Sequence, residues 1–311
     1  MKWWYVQGYF RGETGLRRNF VVCFFSLHLP EDGTPGSMYL CSVIDPKTGE
    51  HGKEILLDET SRAWYLEKLA DLPENFGINR CIAETIQKEI AEYGLYPPFS
   101  CPVSPMRISS DAIAWETVAL SFAPSALSAT FLDPGNKQPV SLFLEPEVPF
   151  VDIPGLLPQG EGIGMEYVTC PRLALKGRYG DEEIRGEAWF DCQAGGDAWF
   201  AIERADTERQ GDRTCDPLGW DWCAVNLDDG QSPVFLHRKS IESGRTEAKF
   251  CVLFEGKEAR YFSDFGLEPL RLWESPTTHI QYPVEWAFFV PEIGCRQHIA
   301  GATRPLAPKQ P

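Results

Sequence analysis

The strongest constraint on the fold is an alternation of period two across residues 186–230. Gly186-Glu187-Ala188-Trp189-Phe190-Asp191 opens the stretch. Gly219-Trp220-Asp221-Trp222-Cys223-Ala224-Val225-Asn226-Leu227-Asp228-Asp229-Gly230 closes it. Successive side chains of a β-strand point to opposite faces. As strands, Glu187, Trp189 and Asp191 share one face and Ala188 and Phe190 the other. Trp220 and Trp222 likewise oppose Asp221 and Cys223. A carboxylate among large aromatics is costly to ionise, because burial disfavours the charged form and raises its pKa. Asp191 and Asp221 are therefore either tied down by donors, as strand-end caps or partners of Arg, or kept as acids for chemistry.

The rest of the chain carries the same signature. Its 25 Pro, 27 Gly and 13% aromatic residues suit many short strands joined by turns. Residues 3–10 and 18–29 read as a hairpin, and 37–45 as a third strand. Leu66, Leu69 and Leu72, then Ile82, Ile86 and Ile90, recur at helical spacing and predict a helical insert over about 61–94. It packs on a barrel end or forms a lid over a pocket. Strands resume over 112–122 and 127–132, and a Pro- and Gly-rich segment places a domain boundary within 145–164. Strands are then predicted over 166–175, 178–191, 199–204, 220–227, 234–240, 249–254 and 259–262. The Pro-rich tail 301–311 reads as disordered.

At 311 residues, two domains fit. A balance of 29 basic against 45 acidic residues, net −16, argues against nucleic acid and anionic membranes as partners. No apolar run approaches the ~18 residues of a membrane span. The opening Met1-Lys2-Trp3-Trp4-Tyr5 has no signal-peptide pattern, so a cytoplasmic location is expected. The ten Cys form no C-x-x-C pair and have no His at ligand spacing, so they read as reduced, small hydrophobes. No Walker, Rossmann or H-E-x-x-H motif is present, and neither metal nor cofactor is expected. Among the five His, His237 reads as a satisfied barrel residue.

Five motifs in order then carry a resemblance: Trp3-Trp4-Tyr5-x-x-Gly8; Tyr167-x-x-x-Pro171-Arg172-Leu173-x-x-x-Gly177; Gly186-x-Ala188-Trp189-x-Asp191; Gly219-Trp220-Asp221-Trp222 with Leu227-Asp228-Asp229-Gly230; and Trp273-x-Ser275-Pro276-x-Thr278 with Tyr282-Pro283-x-x-Trp286. Together the chain resembles the carotenoid 1,2-hydratase and AttH-type lipocalin-like family. The resemblance implies an all-β chain of two lipocalin-like (calycin) antiparallel β-barrel domains, 1–150 and 151–300, side by side around an apolar cavity. In the hydratases that cavity is implied to protonate a polyene end and add water without a cofactor. Some fungal decalin-forming cyclases also look like this fold. Where the family usually reads Asp-His-Glu-Trp-Gly, this chain reads Asp191-Cys192-Gln193-Ala194-Gly195.

The expected activity is cofactor-free hydration or cyclisation of a hydrophobic isoprenoid or polyene, by carboxylic-acid protonation of a double bond. Asp221 is the expected acid, with Asp191 as partner and Tyr167 as a further donor. Trp189, Trp220, Trp222 and Trp4 would line the site and face a cation. Arg172 would orient a substrate oxygen or hold an Asp ionised. Cys192 occupies the position of the family His and would also contact the substrate. Two alternatives stand beside this: a pericyclic cyclase working by substrate folding alone, and a non-catalytic carrier of a hydrophobic ligand.

Overall fold

The computed structural model describes residues 2–28, 35–45, 47–63, 88, 102, 104–153, 165–195, 218–240, 246–274 and 281–300. The expected strand 199–204, the segment 154–164, the tail 301–311 and nearly all of the helical insert lie outside them. Of the insert, a helix begins at residue 59, with Asp58 as its N-cap: its Oδ1 accepts from the Ser61 backbone N–H at 2.7 Å. The chain forms two compact units, one of Met1–Ala70 with Glu89–Glu208 and one of Asp71–Lys88 with Arg209–Pro311.

The first unit contains β1 (Lys2–Arg11), β2 (Arg17–His28), β3 (Pro35–Ile44), β4 (His51–Leu57), β5 (Arg107–Ile108) and β6 (Ala112–Trp115). It continues with β7 (Val118–Ala123), β8 (Ala126–Leu132), β9 (Pro139–Pro146), β10 (Val151–Asp152), β11 (Met165–Tyr179) and β12 (Glu182–Gly195). All twelve share one sheet, in the order β4-β3-β2-β1-β12-β11-β9-β8-β7-β6-β5, with β10 against β11. β11 and β12 thus lie beyond the 145–164 segment in sequence, yet pair with β9 and β1.

The sheet is curled. β2 and β8 stand five strand steps apart, which in a flat sheet is roughly 24 Å. The rings of Phe20 and Phe131, one on each, are 6.1 Å apart. Curling brings the inner faces into one core that includes Val6, Phe10, Val22, Phe24, Trp115 and Leu142. Gly8 and Gly186 sit where neighbouring backbones close in. A Cβ on Gly8 would lie 2.2 Å from the Glu187 carbonyl oxygen, and one on Gly186 1.9 Å from that of Tyr9. These motif glycines are there because nothing larger fits between β1 and β12.

Two turns fall elsewhere than expected. The single strand expected over 112–122 is the hairpin β6–β7, turned at Glu116, whose φ is 52°. The break expected near 176–177 is absent. β11 runs through Gly177 to Tyr179, and the chain reverses at Gly180, whose φ is 59°.

The second unit holds β13 (Leu218–Ala224), β14 (Gln231–Ser240), β15 (Thr246–Glu255) and β16 (Glu258–Phe262) as one antiparallel sheet. β17 (Gly266–Glu274), β18 (Gln281–Val290) and β19 (Cys295–Ala300) form another. Phe235 of β14 meets Phe288 of β18 with ring centroids 4.5 Å apart. The two sheets therefore share a core, with Cys251, Leu253, Phe262 and Phe265.

Candidate functional site

The site is built on the outer face of the first unit's sheet, opposite the curled core. Trp4, Val6 and Phe190 point inward. By alternation Tyr5, Trp189 and Asp191 point the other way. Asp191 faces Tyr5 on β1 and Thr169 on β11, and Cys23 of β2 faces Tyr5 in turn. Although this is not the core face, Asp191 is only 3% exposed, and Tyr167, Thr169, Trp189 and Cys23 are buried with it.

Oδ1 of Asp191 accepts two hydrogen bonds, from the Tyr167 hydroxyl and from the Trp189 indole Nε1, both at 2.9 Å. The same indole N–H reaches the Thr169 Oγ1 at 3.0 Å. Thr169 has one hydroxyl proton; it donates to the Phe190 carbonyl at 3.3 Å and is also within reach of Asp191. Burial raises the Asp191 carboxyl from 3.8 to about 6, against donors on Thr169, Trp189 and Tyr167 that hold it down.

Asp191 also acts on its neighbours. Burial first, and then its charge, push the Tyr5 phenol and the Cys23 thiol well up. The Tyr5 hydroxyl donates to Gln7 Oε1 at 2.7 Å. Cys192 points inward, packs on the core, and is pushed up to about 11, chiefly by burial. Burial thus disfavours its thiolate, the form in which a cysteine attacks.

The expected site residues therefore divide. Asp191, Tyr167 and Trp189 come together on the outer face, whereas Trp4 and Cys192 belong to the inner one. Arg172 is half-buried in the bulge between Cys170 and Leu173, its carbonyl accepting from the Glu147 N–H at 3.0 Å. Asp221, half-buried on β13, faces His237 across the strand pair and belongs to the second unit. Trp222 points away from Asp221, and its Nε1 is buried without a hydrogen-bond partner. The Trp220 side chain lies outside the described residues. Thr169 and Gln7 were not singled out in the sequence, and Tyr5 only as a motif residue, although Thr169 follows Tyr167 at the same period of two. Among the described residues, no group of three or more His, Cys, Asp and Glu side chains is placed to hold a metal ion.

Residues 103–310, about two thirds of the chain, match the family model described as AttH-like. The chain belongs to the AttH-like family. The crystal structure of an AttH-type protein from Nitrosomonas europaea aligns over 92% of this chain and 76% of its own, at 18% identity and a TM-score of 0.58. At that identity the likeness speaks for the fold, which is all-β and lipocalin-like. Kievitone hydratase from Nectria haematococca aligns over 92% of this chain and 72% of its own, at 10% identity and a TM-score of 0.49, too remote to support an argument. No curated protein matches the chain. In this AttH-like protein, Gly8, Tyr167, Gly186, Trp189 and Asp191 divide their motifs between two tasks. The glycines let β1 and β12 approach, and the other three assemble the acid. No helix among the described residues is long and apolar enough to cross a membrane.

Proposed function

We propose that this AttH-like protein is a cofactor-free hydratase or cyclase acting on a hydrophobic, unsaturated small molecule, with Asp191 rather than Asp221 as its acid. The observation that carries the reading is a carboxyl only 3% exposed, with a pKa near 6, fixed by a Trp and a Tyr on one oxygen. A group titrating near the working pH is the one that can both give and retake a proton.

Protonated Asp191 gives its proton to one alkene carbon, leaving a cation on the other. An aromatic face such as Trp189 stabilises that cation by about 0.5–2 kcal/mol. Water adds to the cation and the carboxylate retakes the surplus proton, so the sum is addition of one water. If an internal double bond captures the cation instead, the new carbon–carbon bond closes a ring, and loss of a proton from the resulting cation to Asp191 restores a double bond. Tyr167 orients the carboxyl and sets its proton affinity. The substrate is an isoprenoid or polyene with no need of a charged group.

The test uses the full chain with a polyene panel, reading turnover by chromatography and binding by quenching of Trp fluorescence. Asp191→Asn is expected to abolish turnover while leaving binding within a few-fold. Turnover that survives in Asp191→Asn would favour catalysis by substrate folding, and binding without turnover in the wild type a carrier. Either outcome overturns the assignment of the acid.

A further inference from the structure

We propose that the far end of the first unit's sheet carries an oxyanion site for a small, multiply charged ligand, distinct from the Asp191 cluster. Arg17 of β2 faces Arg11 of β1, and Arg11 faces Arg185 of β12. Three arginines thus stand side by side on one face, an arrangement in which like charges directly opposite destabilise a sheet. Lys47, from the turn between β3 and β4, joins Arg11 and Arg17 around a concavity of about 280 Å³ whose remaining wall is Gly15 and Leu16.

In a chain with 45 acidic residues, four basic side chains would ordinarily find carboxylates. Among the described residues none of these four is ion-paired, whereas Lys137, Lys176 and Lys249 all are. Glu187 bonds Tyr9, and the Glu182 carboxyl packs beside Gly12.

Arg17 is also held in place. Its guanidinium lies 4.0 Å from the centre of the Tyr9 ring, and its Nε donates to Asn19 Oδ1 at 3.0 Å. Neither contact uses the terminal N–H groups of the fork. A guanidinium so fixed loses little rotamer freedom on binding, and its planar fork suits carboxylate and phosphate oxygens. A bound dianion would also remove the repulsion along the arginine row. The net charge of −16 repels anions in general, so affinity here has to come from the site itself.

Arg11 lies six residue steps along β1 from Tyr5, the residue facing Asp191, on the order of 20 Å. The oxyanion site therefore stands or falls independently of the acid.

Isothermal titration of the full chain at low ionic strength, with pyrophosphate and with succinate as probes, tests it. One-site saturable binding is expected, weakened about tenfold or more in Arg17→Gln/Lys47→Gln, with the tighter probe telling phosphate from dicarboxylate as the natural ligand chemistry. The two side chains are exposed, and circular dichroism checks that the variant folds. Arg185→Gln supplies a second readout. Without anion its thermal midpoint should rise above the wild type's, and the pyrophosphate-induced rise in midpoint should shrink. Lack of saturable binding by both probes, or equal affinity in the double variant, would overturn the proposal.

Discussion

The indole Nε1 of Trp189 donates to the Asp191 carboxylate two residues along the same strand, at 2.9 Å. Residues i and i+2 share a face, so this bond is local and needs no distant partner to form. The second donor, Tyr167, comes from the neighbouring strand and meets the same oxygen. These neutral donors, with Thr169 beside them, lower the cost of ionising a buried acid but do not cancel it. The carboxyl ends near 6, between an ordinary surface Asp and a fully desolvated one.

The first consequence is a pH-dependent stability. A folded-state pKa of about 6 against 3.8 means that folding favours the protonated form. The stabilisation is complete below about pH 4, is lost as pH rises through 6, and amounts to on the order of 3 kcal/mol. Asp191→Asn keeps an acceptor for both donors and cannot ionise. Relative to the wild type, its unfolding free energy should climb by up to that amount between pH 4 and pH 7. Urea titrations of both proteins at four pH values check this, and parallel curves would sink it.

The second concerns Tyr167. Its hydroxyl holds the Asp191 carboxyl down, so Tyr167→Phe should raise that pKa further and cost about 1 kcal/mol in stability. If Asp191 must be protonated to act, the loss of kcat/KM towards alkaline pH should move to higher pH in the variant. A limb that stays put, or moves down, would remove Tyr167 from the proton's path.

Period-two alternation is a local property, and it put Trp189 with Asp191, and Ala188 with Phe190, from the sequence alone. Which face is the core was not legible, because both are apolar: Phe24 and Cys23 on β2 are both buried, one in the curled core and one outside it. Hence Trp4 and Cys192 were grouped with an acid that lies across the sheet from them. The pairing of β1 with β12 joins residues far apart in sequence and leaves no local mark except Gly8 and Gly186. Gly177 looked like a turn but marks a strand running close to its neighbour, as a Cβ there would lie 2.0 Å from the Ser141 carbonyl. The turn at Glu116 lacks the Gly or Pro that would have announced it.

Third, the folded protein should be slow to alkylate. Cys41 and Cys170 are pushed up to about 12 and Cys192 and Cys223 to about 11, in each case chiefly by burial. Only thiolate attacks, and at pH 8 each of these is on the order of a thousandth ionised or less. Mass spectrometry after iodoacetamide treatment should find these four unmodified in native buffer and modified in urea. Rapid native labelling of Cys192 would show that its thiol ionises far more readily than its burial allows.

The last prediction isolates the architecture from the chemistry. Gly8 lies against Ala188, and a methyl group there would come within 2.2 Å of the Glu187 carbonyl oxygen and 2.8 Å of the Ala188 Cα. Both obstacles are backbone of β12, which cannot swing aside as a side chain could. Gly8→Ala must therefore push β1 from β12 around the very strands that carry Tyr5 and Asp191. Relief of chain entropy would stabilise by less than about 1 kcal/mol, whereas overpacking of this kind costs roughly 1–3 kcal/mol or more. Net destabilisation is expected, measurable as a lower urea midpoint with an unchanged slope. Hydrogen exchange should speed up at Val6 and Phe190, which pair on either side of the site. A variant as stable as the wild type would mean that β1 and β12 leave room for a methyl group at position 8.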